Sequence, residues 1–395
     1  MEIRQITVDE RLGTMFPLQA YAFYPSPWTA ADADSYLDRL RFDRETVSLV
    51  AEEDGEALAC AAAIPMRQNV RGLVHPMAGI ASVASHPAAR RRGVVRALLV
   101  RLLRQMRDAG HPVSCLYPFK PSFYERFGYV GLLARRTAAF PPAGLGHLLR
   151  AELPGTVTRS DIKEGYADHR ALTLRLLAER HGFSVSPDSR ASMWEESVTR
   201  WVATARVDGE VVGAVTYRIE RQGGDLVADD LLTTGPLGRA LLLQFFARHV
   251  DQVGRVVVSV GPDEVPELWG TDLAAHIEAR ASFPEFPAPM ARVLSVEALA
   301  GTPAGPGTLI VDVVDDELIG GRYRLDADGG GLAVTRDPGG EPGATLTSAG
   351  LSGLVFGVLD PVEVGLRGFG TVRPEAAAAL RSLFPPASPY LYEAF

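Results

Sequence analysis

A chain of 395 residues is long enough for two or three domains, each with its own apolar core. Hydrophobic residues make up 47% and charged residues 22% of the sequence, as in ordinary globular proteins, and the formal net charge of -8 argues against nucleic acid as a general partner. The two cysteines, Cys60 and Cys115, form no C-x-x-C pair, so they indicate neither a disulfide framework nor a zinc site.

A signal peptide at the N-terminus or a membrane-spanning segment in the chain would indicate where the protein is located. The first residues, MEIRQITVDERLG, are charged and lack the apolar core of a signal peptide. The charge-free run 72–89 is interrupted at Pro76, Gly79 and Pro87, so we do not expect it to span a membrane. With the unpaired cysteines, these features predict a cytoplasmic protein without membrane insertion.

Residues 1–140 predict one α/β unit. Apolar periodicity and turn residues, including the Asp54-Gly55 hairpin signal, place its first elements. In chain order these are a strand at 3–7, helices at 8–24 and 31–40, strands at 47–52 and 57–66, a meander at 68–75 and a central strand at 80–85.

Aromatic residues are concentrated after the first helix, where Tyr21, Phe23, Tyr24 and Trp28 lie within eight positions. Aromatic faces pair well with cationic amines, so these side chains are candidates for lining an amine pocket. The alternative is that they pack the two helices against the sheet, because aromatic side chains dominate protein cores. The sequence favours packing for any single one of them.

The stretch from Gly79 to Tyr129 carries the clearest chemical signal. Arg90, Arg91, Arg92 and Gly93 follow the central strand and precede a helix that ends at Gly110. The apolar positions of that helix recur with helical spacing: Val95, Leu98, Leu99, Leu102, Leu103 and Met106. The unpaired N–H groups of the first turn and the arginines together suit a pyrophosphate. The alternative is a surface helix with an arginine-rich first turn. No G-x-G-x-x-G is present, which argues against a dinucleotide-binding turn.

A tyrosine follows the next predicted strand, at 113–117. Ser122 and Glu125 have the S-x-x-E spacing of a capping box, which predicts a short helix with Tyr124 in its first turn. A tyrosine is neutral at pH 7 and can donate a proton. The alternative is a packed aromatic side chain beside Phe123 and Phe127.

The arginine-rich turn and the segment around Tyr124 together resemble sequences of a known family. R-R-x-G-x-x-R/A after a strand resembles the acetyl-CoA pyrophosphate loop of the GCN5-related N-acetyltransferase (GNAT) superfamily, and RRRGVVRALL followed by FYERFGY resembles the Eis (enhanced intracellular survival) acetyltransferases of actinobacteria. The resemblance implies that Tyr124 protonates the departing thiolate of coenzyme A. It also implies that acetyl-CoA, as co-substrate, is held by Val83, Ala84, Ser85, Arg90, Arg91, Arg92, Gly93, Val94, Val95, Arg96, Phe119 and Lys120.

Residues 148–290, after the linker 141–144, predict a second unit with the strand and helix order of the first. Its elements are helices at 168–179 and 190–197, strands at 201–207, 211–220 and 226–233, a helix at 237–250 and a strand at 255–260. TTGPLGRA stands where the first unit has RRRG, and no counterpart of FYERFGY follows. We interpret this unit as a degenerate copy without a cofactor site, as the Eis resemblance also implies. A second functional site is the alternative.

Residues 291–395 predict an α+β domain, because a run of strands is followed by helices. The strands fall at 291–296, 308–314, 321–326, 331–336 and 344–348, and the helices at 349–359 and 374–383. The Eis resemblance implies a sterol-carrier-type fold here. The whole chain is thus predicted as two tandem GNAT-type mixed-sheet domains, at 1–140 and 148–290, followed by a sterol-carrier-like domain at 291–395.

The chain ends in the aromatic sequence PYLYEAF, which predicts a docked tail. The Eis resemblance implies that the carboxylate of Phe395 enters the active site as general base. An ordinary α-carboxyl has a pKa near 3.5, so this role needs burial or a water relay. The alternative is a tail that only stabilises the fold. In the family pattern an acidic residue directly precedes the last Phe, whereas here Ala394 intervenes and Glu393 comes one position earlier.

The function predicted from the resemblance is acetyl-CoA-dependent transfer of acetyl to a primary amine, by direct attack on the thioester and without a metal. Aminoglycosides, lysine side chains or other amines are candidate acceptors, and a small or weakly cationic amine fits the early loop, which has Tyr24 and Pro25 where an acid would attract polycations. The alternatives are a non-catalytic acyl-CoA-binding protein and a lipid carrier. The resemblance further implies a homohexamer built as a dimer of trimers. The predicted acceptor contacts are Phe23, Tyr24, Trp28, Tyr36 and Glu393.

Overall fold

The computed structural model describes residues 1–196 and 199–395. Its first part contains these elements: β1 (Glu2–Ile6), α1 (Arg11–Phe23), α2 (Ala30–Leu40), β2 (Val47–Glu53), β3 (Glu56–Val70), β4 (Leu73–Ser85), α3 (Val94–Asp108), β5 (Val113–Leu116), α4 (Pro121–Glu125) and β6 (Val130–Gly131). The middle part contains β7 (Arg136–Phe140), β8 (Thr156–Asp161), α5 (Ile162–Glu179), β9 (Ser184–Val185), α6 (Asp188–Ala191), β10 (Trp201–Val207), β11 (Glu210–Ile219), β12 (Asp225–Asp230), β13 (Leu232–Thr233), α7 (Pro236–Ala247), β14 (Arg255–Val260) and β15 (His276–Ala279).

The last part contains β16 (Met290–Val293), β17 (Gly307–Val314), β18 (Gly321–Ala327), β19 (Ala333–Arg336), β20 (Ala344–Thr347), α8 (Ser348–Val355), α9 (Pro361–Leu366), β21 (Gly370–Val372) and α10 (Pro374–Leu383). None of the described helices combines the length and the apolar composition needed to cross a membrane.

Two mixed sheets with the same strand arrangement account for most of the chain. The first has the order β1-β2-β3-β4-β5-β16-β6, with β9 added beside β3. The second has the order β15-β7-β14-β12-β11-β10-β8, with β13 added beside β11. Each sheet has one parallel pair, β4 with β5 and β12 with β14, and a helix, α3 or α7, connects the two strands of that pair. A smaller sheet, β19-β18-β17-β20-β21, is built from Gly307 onwards.

The sheets do not divide the chain at the predicted domain boundaries. β7 falls within the predicted first domain, but it pairs with β14 and β15 in the second sheet. β16 begins at Met290 and pairs with β5 and β6 in the first sheet, so the strand predicted at the start of the third domain completes the first sheet instead. The reason is physical: β5 is buried along its whole length, and its free edge needs a hydrogen-bonding partner wherever the chain supplies one.

Several local predictions need correction. Ser122 and Glu125 form no capping box, because α4 begins at Pro121 with Lys120 as N-cap and without a side-chain cap bond. The predicted helix 190–197 is represented by α6, which ends at Ala191, and Ser197 lies outside the described residues. The predicted meander at 68–75 is a tight turn at Arg71 and Gly72 between two long strands.

The core of the first part packs α3 on the sheet. The predicted apolar face of α3 is buried, with Leu98, Leu99, Leu102, Leu103 and Met106 between 0% and 2% exposed. Burial of each such side chain stabilises the fold by about 1.5–3 kcal/mol. This packing holds the N-terminus of α3 in a fixed position at the end of β4, where the candidate site lies.

Candidate active site

The two parallel strands β4 and β5 separate at the centre of the first sheet. They pair from Met77 with Val113 to Ile80 with Leu116. Beyond Ile80, β4 continues to Ser85 without pairing to β5. On its other side, the pairing of β4 with β3 shifts register, and Ser82 there has a positive φ of 57°. Among the described residues, the backbone of Val83, Ala84 and Ser85 therefore has no strand partner on the side of β5, and it can bond to a ligand that enters the gap.

The N-terminus of α3 follows β4 along the chain and presents backbone N–H groups that could bond to an anion. Gly93 is the N-cap, with a φ of 81° in the left-handed region, and a Cβ there would meet nothing within 4 Å. The N–H groups of Val94, Val95 and Arg96 have no backbone acceptor among residues 1–196 and 199–395. The side chains of Val94 and Val95 turn towards the core, so these residues offer their backbone amides to a ligand. An oxyanion such as a pyrophosphate matches this set of donors.

The predicted arginines surround this N-terminus. Arg90, Arg91 and Arg96 are exposed, and within the described part of the chain none of them makes an ion pair. Arg92 instead donates to the carboxylate of Glu53 at 2.7 Å. Three guanidinium groups without an ion pair in the described residues thus flank the unpaired amides along the chain, and their contact with a pyrophosphate stays a prediction. Lys120 is exposed at the N-cap of α4, beyond the end of β5.

Tyr124 lies on α4 within a cluster of aromatic rings. Its residue is 4% exposed, and its ring makes edge contacts with Phe119, Phe123 and Tyr129 at centroid distances of 5.7, 5.0 and 6.1 Å. Burial raises the pKa of the Tyr124 phenol above its ordinary value, because the phenolate would lose its hydration. Tyr124 is therefore a packed aromatic residue whose phenol is neutral at pH 7, and its role as a proton donor stays a prediction.

A cavity of about 320 Å³ connects Tyr124 with the gap between the strands. Of the predicted site residues, Val83, Phe119, Phe23, Tyr24, Tyr36, Tyr124 and Phe395 line it. Trp28 does not line it, and its ring packs against Phe16 at a centroid distance of 6.0 Å. The rings of Tyr24 and Tyr36 also contact Phe16, so the aromatic residues of α1 and α2 form a packed cluster with one side on the cavity.

Phe395 reaches this cavity from the other end of the chain. Its ring stands edge-on to Tyr117 with centroids 5.5 Å apart. A Cβ added to Gly79 would lie 3.1 Å from Cε2 of Phe395 and 2.7 Å from Sδ of Met66, so the absence of a side chain at Gly79 makes room for the ring. The sequence pattern did not identify Gly79 or Tyr117 as site residues, because their role depends on the docked tail.

The tail before Phe395 is anchored on the middle part of the chain. The Tyr390 hydroxyl donates to Asp230, and Arg135 donates to the same carboxylate at 2.9 Å and also to the carbonyl oxygen of Tyr392. The ring of Tyr392 stacks on Phe183 at 4.6 Å. The unit predicted to be degenerate therefore supplies the surface that positions the C-terminal residue in the cavity.

Glu393 lies away from the cavity, contrary to the prediction that it contacts the acceptor. Its carboxylate accepts from the backbone N–H of Ser186 at 2.8 Å and lies 3.7 Å from Arg170. Burial raises the pKa of this carboxyl, although the bond from Ser186 opposes the shift. The side chain of Glu393 therefore turns towards α5, which carries Arg170.

Three charged residues that the sequence analysis did not identify also line the cavity: Arg11, Asp43 and Arg190. Arg11 is 3% exposed on the buried face of α1, with Met15 one turn further along the helix. A charged residue on the apolar face of a predicted helix was a visible signal for a buried site. Arg190 comes from α6 and donates to Asp43, a long-range contact without a local sequence signal.

The N-terminus of α7, which corresponds to that of α3, is built differently. It begins with Gly235 as N-cap and Pro236 as the first helical residue, and proline contributes no N–H group. Arg239 donates to Glu264 at 3.0 Å. In the described residues no group of three His, Cys, Asp or Glu side chains is arranged to hold a metal ion.

Comparison with known proteins identifies relatives of both the first part and the whole chain. Residues 2–131 match the family model of the acetyltransferase (GNAT) domain. An uncharacterised N-acetyltransferase of Streptomyces coelicolor is 28% identical over 347 residues, which cover 81% of each chain. The N-acetyltransferase Eis of Mycobacterium tuberculosis is 40% identical over 75 residues, 19% of each chain. The crystal structure of Eis1 from Mycobacterium abscessus covers 100% of both chains with a TM-score of 0.77 and 21% identity, which shows a shared fold.

Proposed function

The chain is an N-acetyltransferase of the GNAT family, related to the Eis enzymes, and we propose that it transfers acetyl from acetyl-CoA directly to a primary amine. One observation carries the proposal: the gap between β4 and β5 and the phenol of Tyr124 meet one cavity that ends at Phe395, and the open N-terminus of α3 follows β4 along the chain. A thioester in the gap and an amine in the cavity would meet beside a proton donor and a carboxylate.

The backbone and the arginines hold acetyl-CoA in this proposal. The amides of Val94 to Arg96, with Arg90, Arg91 and Arg96, bind the pyrophosphate. The unpaired backbone of Val83 to Ser85 bonds to the pantetheine arm, and its N–H groups stabilise the oxyanion that forms as the amine attacks the carbonyl carbon. Phe119, half exposed at the edge of Tyr124, covers the thioester end of the gap.

Two groups move the protons of the reaction. The unprotonated amine attacks the thioester carbonyl, the new C–N bond forms and the C–S bond breaks. Tyr124 gives its phenolic proton to the leaving thiolate, and the carboxylate of Phe395 accepts the proton that the amine nitrogen loses. No covalent intermediate on the protein is needed, and the buried Cys115 points its thiol at Gln68 instead of the cavity.

The experiment that tests the proposal is acetyl-CoA-dependent thiol release with a panel of primary amines. Deletion of Phe395, and separately the addition of one glycine after Phe395, displace the carboxylate. We expect both variants to lose about 10²-fold in kcat while they keep their affinity for acetyl-CoA, because a general base contributes roughly 10²–10⁴-fold. Acetyl-CoA binding without thiol release on any amine would instead favour a non-catalytic acyl-CoA-binding protein.

The lipid-carrier alternative needs a largely apolar cavity in the last part of the chain. The cavity on the smallest sheet, of about 470 Å³, is lined by the charged residues Asp312, Arg322 and Asp337 together with Val313, Val314 and Pro338. An apolar ligand does not suit such a lining.

The relationship to the Eis enzymes supports four further proposals. The part of the chain that builds the second sheet, from β7 to β15, is a degenerate GNAT-like unit without its own acetyl-CoA site, and the part from Gly307 onwards is a sterol-carrier-like domain. The protein assembles as a homohexamer built from two trimers, and it acts in the cytoplasm. The mass of the assembly in solution, measured at low protein concentration, tests the oligomeric state.

A further inference from the structure

We propose that the acceptor of this enzyme is an amino acid or a similar amine that also carries a carboxylate, and that Arg190 and Arg11 bind this carboxylate. The inference rests on the proposed acetylation of an amine in the cavity that ends at Tyr124 and Phe395. It differs from the expectation of a polycationic acceptor such as an aminoglycoside.

The first argument is the balance of charged side chains around the acceptor. A second cavity of about 200 Å³ adjoins the first and shares Tyr24, Tyr36, Asp43 and Arg190 with it. Together the two cavities are lined by three arginines, Arg11, Arg39 and Arg190. Among the described residues that line them, the carboxylate side chain is that of Asp43. The charged side chains of the lining are thus predominantly positive, and a cavity with such a lining concentrates ligands of the opposite sign.

The second argument is the environment of Arg11. Its Nη2 donates to the carbonyl oxygen of Thr46 at 2.7 Å, and its Nη1 lies 3.7 Å from Asp43. Its Nε is buried without an acceptor in the described part of the chain. Burial lowers the pKa of this guanidinium, since the charged form is poorly solvated there. Arg11 thus keeps its charge in a buried setting with incomplete compensation, which is costly unless a further anion arrives.

The third argument is that Asp43 is shared. Arg190 donates to Asp43, and Arg11 lies beside the same carboxylate, so one negative charge faces two guanidinium groups. A carboxylate on the acceptor would supply the second negative charge and could bond to Arg190 with both oxygens. A second ammonium group, as in a polyamine, would meet these guanidinium groups without a free carboxylate side chain to accept it.

The charged groups around the cavity together orient an amino acid. The carboxylate of Phe395 has no cation within 4.0 Å among the described residues, so it is free to face the amine. The guanidinium groups of Arg11 and Arg190 face the carboxylate of the acceptor. Tyr24 and Tyr36 line the wall between the helices and the sheet, where they contact the apolar part of the molecule.

The test compares acceptors that differ only in a carboxylate: phenylalanine with 2-phenylethylamine, and lysine with cadaverine. Rates are compared at equal concentrations of unprotonated amine, because the carboxylate also shifts the pKa of the amine. We expect kcat/KM to be at least about tenfold higher for the carboxylate-bearing member of each pair, since a hydrogen-bonded charged group is worth about that factor.

Variants separate the role of Arg190 from a general effect on the fold. Arg190→Met should lower the preference for the carboxylate-bearing amine about tenfold, and Arg190→Lys should restore part of it. Arg41→Met is the matched control, because Arg41 is exposed, pairs with Glu196 and does not line either cavity. It should leave the preference unchanged. In the same assay 3-phenylpropionate, which lacks the amine, should inhibit the wild-type enzyme competitively and the Arg190→Met variant less.

The outcomes distinguish this inference from the proposed function. Faster acetylation of 2-phenylethylamine and cadaverine than of their carboxylate-bearing partners would overturn the assignment of the acceptor and leave amine acetylation intact. An unchanged preference in Arg190→Met would overturn the role of Arg190. Acetyl-CoA binding with no acetylation of any amine would overturn the proposed function and this inference with it.

Discussion

At the scale of single residues, the setting of Tyr124 decides its chemistry. A phenol that is 4% exposed among three aromatic rings loses the water that would stabilise its anion, so its pKa rises. The side chain remains protonated well into the alkaline range, and a proton donor for a thiolate must be protonated when the C–S bond breaks. The aromatic packing that makes Tyr124 resemble a core residue thus also suits it to act as an acid.

We predict that Tyr124→Phe lowers kcat about 10²-fold with little change in the KM for acetyl-CoA, because the ring remains and only the proton donor is lost. In the wild-type enzyme, the raised pKa of Tyr124 means that ionisation of the phenol causes no loss of rate below pH 10. Steady-state kinetics over pH 6–10 measures both effects.

Tyr129→Phe is the matched control for this substitution. The Tyr129 hydroxyl is buried and bonds to Ser114 at 2.7 Å, and Tyr129 does not line the cavity. Its loss should cost about 1 kcal/mol of stability and leave kcat near the wild-type value. Equal losses of kcat in the two variants would contradict the role of Tyr124.

The site residues fall into two groups: those that a local sequence pattern predicts and those that it does not. Arg91, Gly93 and Tyr124 belong to local patterns. Neighbouring residues specify the N-terminus of α3, and a separate short segment after β5 specifies the position of Tyr124. Arg11 and Arg190 acquire their role only when α1 and α6 meet across the cavity, 179 positions apart in the chain. A pattern of neighbours cannot show such a contact, although a charge on the apolar face of α1 indicates that one exists.

At the scale of elements, the strands behave in the same way. The helix α3 was predictable because its periodicity lies within one segment, and α5 was predicted from residue 168 although it begins at Ile162. The positions of β7 and β16 instead depend on free strand edges far away in the chain. The sheet that each strand joins is therefore the part of this fold that local sequence patterns do not predict. The docked tail, an extended segment that bonds mainly through side chains, depends on distant partners to the same degree.

We predict that Asp230→Asn impairs catalysis through the tail. Asp230 accepts from Tyr390 and Arg135, and Arg135 also holds the carbonyl oxygen of Tyr392. Loss of the charge should loosen residues 390–395 and lower kcat about tenfold, with the affinity for acetyl-CoA unchanged, because the substitution is remote from α3. Kinetics of the single variant and of the same substitution in protein that lacks Phe395 measure the effect.

The double variant shows whether the substitution acts through Phe395. If it does, Asp230→Asn should cause no further loss once Phe395 is deleted, since effects on one functional unit are not additive. Asp229→Asn is the control, because the adjacent Asp229 bonds to Arg200 and Thr216 and not to the tail. A tenfold loss that persists without Phe395 would refute the positioning role of Asp230.

At the scale of the whole molecule, His181 joins three parts of the chain. Its Nδ1 accepts from the backbone N–H of Arg71 at 2.9 Å, and its Nε2 donates to the carbonyl oxygen of Phe356 at 3.1 Å. These partners require a neutral imidazole, in which one nitrogen accepts and the other donates. Burial lowers the pKa of His181 to about 4, so the ring is neutral at pH 7 in the folded protein.

Because His181 is neutral in the folded protein, we predict that the fold loses stability in mild acid. Below about pH 6.5 the unfolded chain binds a proton at His181, whereas the folded protein does not bind one until about pH 4. Stability is therefore complete above pH 6.5 and falls as the pH drops towards 4, by at most about 3 kcal/mol for this residue. The thermal midpoint Tm, measured between pH 7 and pH 4.5, should decrease accordingly.

The variant His181→Gln isolates this contribution, because a glutamine can accept and donate hydrogen bonds but does not titrate. Its Tm should depend less on pH than that of the wild type over the same range, whereas His276→Gln, at an exposed histidine on β15, should behave like the wild type. His169 is also buried with a pKa lowered to about 4, so part of the acid sensitivity should survive in His181→Gln. An identical loss of Tm in His181→Gln and the wild type would assign the acid sensitivity elsewhere and leave His181 as a packing residue only.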